Sequence, residues 1–303
     1  MTYNIPEWFI PKYSDEVKIR AQQKRRKLDG VFEDGGMFVG DFYYTPRFGS
    51  VETYKANRFD ALRLANAAMD WVKQDCEPEF AAFGVWDPDK NKLNISMAGQ
   101  FAGATVKAVN RARDRQTIDA LKDAAANGVQ NTKGDAAEQI ATIGNYNTVA
   151  TLETICEAIA DLGTNEMFES ETVSLILPFK VNVNLSLDPY LAKSEMKNNR
   201  VWDQVQFRTY EKLPGNGPNG EGWLAGGATG VDMFIVAQSA GATAQNDDDT
   251  EINERMGSQL GTMIGRWFQA GAKVIEPKGV IRIKSKLDFA LMRQAIPIID
   301  VAV

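Results

Sequence analysis

The glycine-rich segment from Gly215 to Gly220 is the part of the sequence that most resembles a ligand-binding motif. Its glycine spacing matches that of a dinucleotide-binding loop, and it follows a predicted strand from Val205 to Leu213. Such a loop must lead into a helix whose N-terminus binds phosphate, but Pro218 and Gly222 disfavour a helix here. We interpret the segment as a loop between strands, with phosphate binding by Gly215 to Gly222 as an enzymatic alternative.

Three other segments carry side chains that could bind a metal or act as a nucleophile. Asp87 to Lys92 begins like a calcium-binding loop, but Lys92 occupies the position at which such a loop needs glycine, so we interpret it as a turn. Ser239 lies in a segment similar to a nucleophile elbow, which needs a histidine partner. The acidic segment from Asp247 to Glu254 could attract a cation, although a solvated turn is the favoured interpretation.

The absence of histidine from the chain excludes a large part of enzyme chemistry. It removes Ser-His and Cys-His nucleophiles, histidine-containing zinc sites and the side chain best suited to proton transfer near neutral pH. Paired carboxylates, Mg²⁺ and lysine bases remain chemically possible. We predict no catalytic, cofactor-binding or metal-binding residues, no cofactor, and a protein that is not an enzyme.

The composition is that of a globular protein with enough apolar residues for a sizeable core: 303 residues, 44% hydrophobic and 24% charged. A net charge of −6 argues against a protein whose main task is to grip nucleic acid. The sequence predicts neither a membrane span nor a signal peptide. Cys76 and Cys156 fit a reduced cytoplasmic chain, and we expect Cys156 to pack as a small hydrophobe.

The segment from Ala98 to Gly128 is predicted to form one long helix, to which we assign residues 98–127. Alanine, leucine, lysine and arginine are frequent, no proline interrupts, and Gly128 supplies a left-handed stop. A helix of about 25 residues is roughly 40 Å long, so this one would act as a spine. We expect the charges at its centre, including Arg111 and Asp114, to pair with one another along the helix.

The first third of the chain has little capacity to form a core of its own. Residues 1–35 are predicted to form an arm containing a short basic helix, and the cationic cluster Lys24 to Lys27 fits either a solvated face or contact with acid or a neighbouring subunit. Gly35 to Asn57 predicts an excursion of extended strands, whose aromatic side chains another chain could cover. Arg58 to Lys73 is predicted to be helical from the spacing of Leu62, Ala65, Met69 and Val72.

The second half alternates helical and strand patterns without repeats. Val149 to Leu162 predicts a helix closed by Gly163, and Thr172 to Leu177 predicts a buried strand. Phe179 to Leu187 alternates apolar and polar residues, which favours a strand. The remaining predicted strands are Val205 to Leu213, Trp223 to Leu224, Val231 to Val236, Ala272 to Ile275 and, after a turn at Pro277 to Gly279, Val280 to Lys284.

Several short motifs, taken in their order along the chain, resemble the major capsid proteins of tailed bacteriophages, the Hong Kong 97 type. They are Gly40-Asp41, Tyr44 to Gly49, Val51 to Tyr54, Arg111 to Asp114, Tyr146 to Thr151, Tyr210 to Gly215 and Ile275 to Val280. The resemblance covers roughly Asp15 to Lys284. It implies a short helix at Phe179 to Leu187, in conflict with the alternating pattern.

The resemblance implies an α+β, Hong Kong 97-like phage capsid fold with five parts. These are an N-terminal arm (1–35), an extended loop and following helix (36–72), a peripheral domain with the spine helix (73–146), an axial domain (147–271), and a return strand to the peripheral domain with a C-terminal extension (272–303). The extension from Ser285 to Val303 exceeds the usual end and is expected to form a subunit contact.

The function implied is that of a shell subunit in a virion. Hexamers and pentamers would build an icosahedral head around double-stranded DNA, without sequence-specific binding, after assembly in the host bacterial cytoplasm. The arm and extended loop would lie over neighbouring subunits, whose carboxylates would meet the Lys24 to Lys27 cluster. Portal and decoration proteins are further expected partners. Because the sequence starts at Met1, we expect a separate scaffolding protein. An encapsulin-like compartment that encloses protein cargo is the alternative with the same fold.

Overall fold

A computed structural model of the chain shows the expected combination of strands and helices. The structure describes residues 25–38, 40–48, 69–86, 97–168, 172–186, 200–217, 220, 229–246, 249–253 and 261–286. The strands are β1 (Glu33–Met37), β2 (Phe42–Phe48), β3 (Met69–Asp75), β4 (Glu77–Trp86), β5 (Ala141–Gly144), β6 (Val173–Leu177), β7 (Val205–Thr209), β8 (Gly230–Ala237), β9 (Gly241–Gln245), β10 (Asp249–Asn253), β11 (Gly261–Val274) and β12 (Val280–Lys286). The helices are α1 (Met97–Asn127), α2 (Leu152–Thr164), α3 (Phe179–Ser186) and α4 (Arg200–Asp203).

Helix α1 confirms the predicted spine. It ends where Gly128 adopts a φ of +76°, a left-handed conformation that glycine adopts without strain. The C-terminal half of α1 contributes Ile118, Leu121 and Ala124 to the main core. Further towards the N-terminus, Val109 packs on Phe268 of β11. One helix therefore contacts both the main core and the long sheet.

The long sheet is organised around the fourteen-residue strand β11. Strand β4 pairs antiparallel with one edge of β11, while β10 and β9 pair in succession with the other. Strand β1 adds to β9 in parallel. A separate two-stranded ribbon is formed by β2 and β3, which pair antiparallel from Phe42↔Asp75 to Phe48↔Met69. We call this pair the β2–β3 ribbon.

The second sheet has the strand order β5-β12-β8-β6-β7 and contains most of the core. All eight residues of β8 and all five of β6 are buried. Helix α2 packs against this core through four buried side chains at helical spacing, which are Ile155, Ala158, Ile159 and Leu162.

Two predicted elements are wrong. Within the predicted helix Arg58 to Lys73, the described residues from Met69 onward belong to strand β3, because they pair with β2 and bury Val72 against the core; residues 58–68 lie outside the described residues. Phe179 to Leu187 was predicted as a strand, but Phe179–Ser186 form helix α3. Its alternating pattern also contains i,i+4 pairs, and one of them, Val181 with Leu185, is buried.

Helix α3 starts directly after Pro178, where a side chain from another part of the chain satisfies its first backbone N–H. The Glu211 carboxylate accepts the N–H of Phe179 at 3.0 Å, and the Pro178 carbonyl accepts that of Asn182 at 3.1 Å. Because Glu211 lies after β7, this cap depends on tertiary structure. The short helix implied by the capsid resemblance is thus observed.

Several boundaries also differ from the predictions. Helix α2 continues through Gly163 to Thr164, and β7 ends at Thr209 rather than Leu213. In the acidic segment, Asp249–Asn253 form a strand rather than a turn. Residues 1–24, 87–96, 221–228 and 287–303 lie outside the described residues. They include the calcium-like turn, the Trp223 strand, the part of the predicted basic helix before Arg25 and the C-terminal extension from residue 287 onward, whereas Ser285 and Lys286 belong to β12.

Candidate assembly surface

The β2–β3 ribbon presents an apolar surface that is left exposed by the part of the chain the structure describes. Side chains alternate between the two faces of a strand pair. One face, here called the outer face, carries exposed side chains of both strands, including Phe48 at 67% and Trp71 at 40% exposure. Its apolar members are Phe42, Tyr44, Pro46, Phe48, Met69 and Trp71. A contiguous exposed patch of this kind is typical of a surface that binds another protein.

The opposite face of the ribbon is packed against the rest of the chain. Val72 and Gln74 are both 1% exposed, and Val72 joins the main core. The Tyr43 hydroxyl donates to the Gly35 carbonyl at 2.7 Å, and the ring of Tyr43 lies against Phe38. The ribbon is therefore anchored on one face and open on the other.

An ion-pair network fixes the end of the ribbon. Arg47 of β2 donates two hydrogen bonds to Asp70 of β3, at 2.9 and 3.1 Å, and two to Glu138, both at 3.2 Å. Asn131 donates to the same Asp70 carboxylate at 3.1 Å. These contacts hold the pKa of Asp70 below its ordinary value, with the hydrogen bond from Arg47 as the largest cause. The same hydrogen bond, donated to Asp70, raises the pKa of Arg47.

Backbone contacts add to this network. The N–H of Thr132 donates to the Trp71 carbonyl at 2.9 Å, and the Lys133 ammonium donates to the Met69 carbonyl at 2.6 Å. Residues 131–138 lie a few residues after the end of α1 at Asn127, so the spine helix and the ribbon are connected by one clamp. This clamp holds the aromatic outer face at a defined position relative to α1.

The central charges of α1 do not simply pair with one another. The Asp114 side chain is fully buried and accepts the N–H groups of Lys27 at 2.9 Å and of Leu28 at 3.2 Å. Arg26 pairs with Asp29 at 3.1 Å, and its Nε lies 4.0 Å from Asp114. These contacts within the chain hold the N-terminal segment against the middle of α1.

A second buried charge cluster joins strands of the core sheet. The hydroxyl of Tyr146 donates to Asp232 at 2.6 Å, and Arg282 donates both to Asp232 and to Tyr146. Burial, followed by the hydrogen bond to Asp232, raises the pKa of Tyr146 to about 12. The phenol is therefore neutral at physiological pH, and the cluster acts as a structural link between β8, β12 and the residues after β5.

Where the structure describes them, the ligand segments selected from the sequence do not converge on one site. Residues Gly215 to Gly220 lie between β7 and β8, where the N–H of Gly215 donates to the Gly220 carbonyl at 3.1 Å. Ser239 lies in a 3₁₀ turn between β8 and β9. Cys156, expected to pack as a hydrophobe, is exposed, whereas Cys76 is buried. Within the described ranges, no group of three potential ligands is placed to hold a metal ion, and no helix is long and apolar enough to cross a membrane.

Residues 5–286 match a family model described as phage capsid protein. No curated protein matched the sequence. The solved capsid of cyanophage P-SCSP1u has a TM-score of 0.63 and 13% identity, with 91% of this chain and 92% of that chain covered. The capsid of Ralstonia phage GP4 has a TM-score of 0.59 and 11% identity, with 95% and 98% covered. The capsid of a native GTA particle has a TM-score of 0.66 and 9% identity, with 92% and 95% covered. These similarities confirm the Hong Kong 97-like α+β fold.

Proposed function

We propose, from the premise that this chain belongs to the phage capsid protein family, that the outer face of the β2–β3 ribbon joins subunits into a shell. Family membership makes the chain a major capsid protein, a structural component of the virion. The further proposal is that it forms the hexamers and pentamers of an icosahedral head, which encloses double-stranded DNA without sequence-specific binding. Catalysis has no part in this proposal.

The observation that carries the proposal is the aromatic outer face held by the Arg47 clamp. A second apolar surface lies at the far edge of the core sheet, where Phe179 and Val183 of α3 are exposed and Phe207 of β7 stacks on Trp202. The two surfaces differ in sequence and shape, so each would bind a different surface of the next copy. Contacts between unlike surfaces of identical subunits generate rings when the rotation closes.

We propose that the division into arm, extended loop, peripheral domain, axial domain and C-terminal segment follows the two sheets. Strand β11 pairs with β4, and β9 and β10 pair with β11, which supports placing these three strands with β4 in the peripheral domain. The pairing of β12 with β8 supports placing residues 280–286 with the axial domain. The predicted return strand at 272–284 is therefore divided between the sheets: its residues up to Val274 belong to β11, and those from Val280 belong to β12.

The test is the mass and appearance of the expressed chain, by light scattering and negative-stain microscopy, with and without the products of neighbouring genes. Closed shells or capsomers are expected, and more of them with a scaffolding protein. Absorbance at 260 nm then distinguishes enclosed DNA from protein cargo. The same proposal includes a portal protein and decoration proteins as partners of the shell. It also includes assembly of the shell in the host cytoplasm.

The matched variants are Trp71→Glu on the outer face and Gln130→Glu at an exposed position between α1 and the clamp. Each adds one negative charge to an exposed site. We expect Trp71→Glu to abolish particles while the chain stays folded by circular dichroism, and Gln130→Glu to assemble normally. Normal particles from Trp71→Glu would contradict the assignment of the outer face.

A further inference from the structure

A cleft of about 380 Å³ lies between α1, β4 and the residues that follow β7. Cationic side chains from three parts of the chain line it, namely Lys27, Arg111, Arg115 and Lys212. Among the described residues of the lining, the carboxylates are Glu79 and Glu211. These four cations and two carboxylates sum to +2, although the whole chain carries −6.

Both carboxylates of the cleft already accept hydrogen bonds within the chain. Glu79 accepts from Arg115 at 2.9 Å and from Gln116 at 3.0 Å, and Glu211 caps helix α3. The Lys27 and Lys212 residues are exposed. Glu79 is paired with Arg115, which is itself part of the lining. The other cations of the described lining still outnumber Glu211, so the cleft keeps an excess of positive charge that a carboxylate ligand would neutralise.

The floor of the cleft is apolar and lined by small residues. Ala108 and Ala112 lie one turn apart on α1, and Val109 packs beside them on Phe268. Alanine side chains leave room for a ligand to approach the helix backbone. Arg111 and Arg115 follow the same one-turn spacing, so charged and apolar positions lie side by side along the cleft.

The cleft is held in place by the contact between Asp114 and the N-terminal segment. The Asp114 carboxylate binds the N–H groups of Lys27 and Leu28, which keeps Lys27 at the edge of the cleft. Tyr210 also lines the cleft and is buried, and burial raises its pKa to about 12. The phenol hydroxyl thus stays neutral and can donate to an anionic ligand.

We propose that this cleft binds an acidic peptide segment of a partner protein, with one apolar side chain of that segment on the alanine floor. The charge of the lining complements carboxylates, and its volume suits a few peptide residues rather than a nucleic-acid duplex. The chain's own residues 1–24 carry four cations and three carboxylates, so their charge does not complement the cleft. The proposal concerns a partner rather than shell contacts, and it does not depend on how the shell is built.

The experiment measures fluorescence anisotropy of a short labelled peptide of glutamates with one central leucine, added to the unassembled full-length chain. We expect saturable binding that weakens as salt concentration increases. Lys212→Glu should weaken it about tenfold, whereas Lys278→Glu, an equal charge change outside the cleft, should leave it unchanged. Ala108→Leu should also weaken binding, because it fills the floor without changing charge.

Three results would overturn the proposal. The first is equal binding by the Lys212→Glu and Lys278→Glu variants. The second is displacement of the peptide by duplex DNA at matched charge concentration, which would assign the cleft to nucleic acid. The third is loss of self-assembly in Lys212→Glu together with loss of peptide binding in assembled particles, which would assign the cleft to a second copy of the chain.

Discussion

Strand β8 and the β2–β3 ribbon are both paired strands, but they find their packing partners in different places. Every residue of β8 is buried between neighbouring strands and helices of the same chain. The ribbon buries only one face and leaves aromatic side chains exposed on the other. The core sheet therefore packs within one subunit, whereas the described part of the chain leaves the outer face of the ribbon exposed and available to another molecule.

The largest expected difference in stability comes from replacing one phenylalanine by alanine in each of the two regions. Phe234→Ala at the centre of β8 should lower the free energy of unfolding by about 3–5 kcal/mol, because it leaves a cavity in a fully buried site. Phe48→Ala on the outer face should change it by less than about 0.5 kcal/mol. Urea denaturation of the unassembled chain measures both, and equal losses would remove the distinction between the two regions.

A smaller effect is expected at the buried carboxylate that ties the N-terminal segment to α1. Asp114→Ala leaves the N–H groups of Lys27 and Leu28 without their acceptor, which costs about 1–3 kcal/mol for a buried donor. Asp119→Ala, at an exposed position on the same helix, is the control with the same charge change. Denaturant midpoints should fall for the first variant alone; equal midpoints would mean that this segment is held by other contacts.

The smallest effect is expected from the clamp that holds the ribbon. Arg47→Met should cost about 1–2 kcal/mol near neutral pH, because partly buried charge-assisted hydrogen bonds are lost. The pKa of Asp70 is lower in the folded chain, so its ion pair stabilises the fold above the ordinary aspartate pKa of about 3.9 and loses this contribution as pH falls through the folded pKa.

The difference between Arg47→Met and the parent chain should therefore shrink on acidification below about pH 4. Unfolding midpoints measured across this pH range test the sign. Arg115→Met, which removes an exposed ion pair, should show little difference at any pH. If the difference in unfolding midpoint between Arg47→Met and the parent chain widened in acid, the role given to Asp70 would be contradicted.

Elements with strong local signals were predicted well. The spine helix has favourable composition, no proline and a glycine at its end, and α2 has apolar residues at regular helical spacing. Strands β6 and β8 are predominantly apolar, with Ser174 and Asp232 as their polar members. In each case the local pattern and the tertiary environment favour the same structure.

The wrong predictions concern segments whose pattern fits two structures. Met69 and Val72 have helical spacing, yet pairing with β2 makes them part of a strand. Phe179 to Ser186 alternate in polarity, yet a cap from Glu211 and burial of Val181 make them a helix. The pairing partner and the cap are distant in sequence, so the local pattern could not distinguish between the structures.

The sequence alone determined the absence of histidine chemistry, the spine helix, the mixed α and β content and the order of motifs that indicated a capsid subunit. Only the tertiary structure decided which aromatic residues face outward, which carboxylate binds the N-terminal segment and which cations line one cleft. Those properties depend on strand register and on contacts between residues far apart in the chain. A register shift of one residue would reverse the two faces of the ribbon without any change in its sequence.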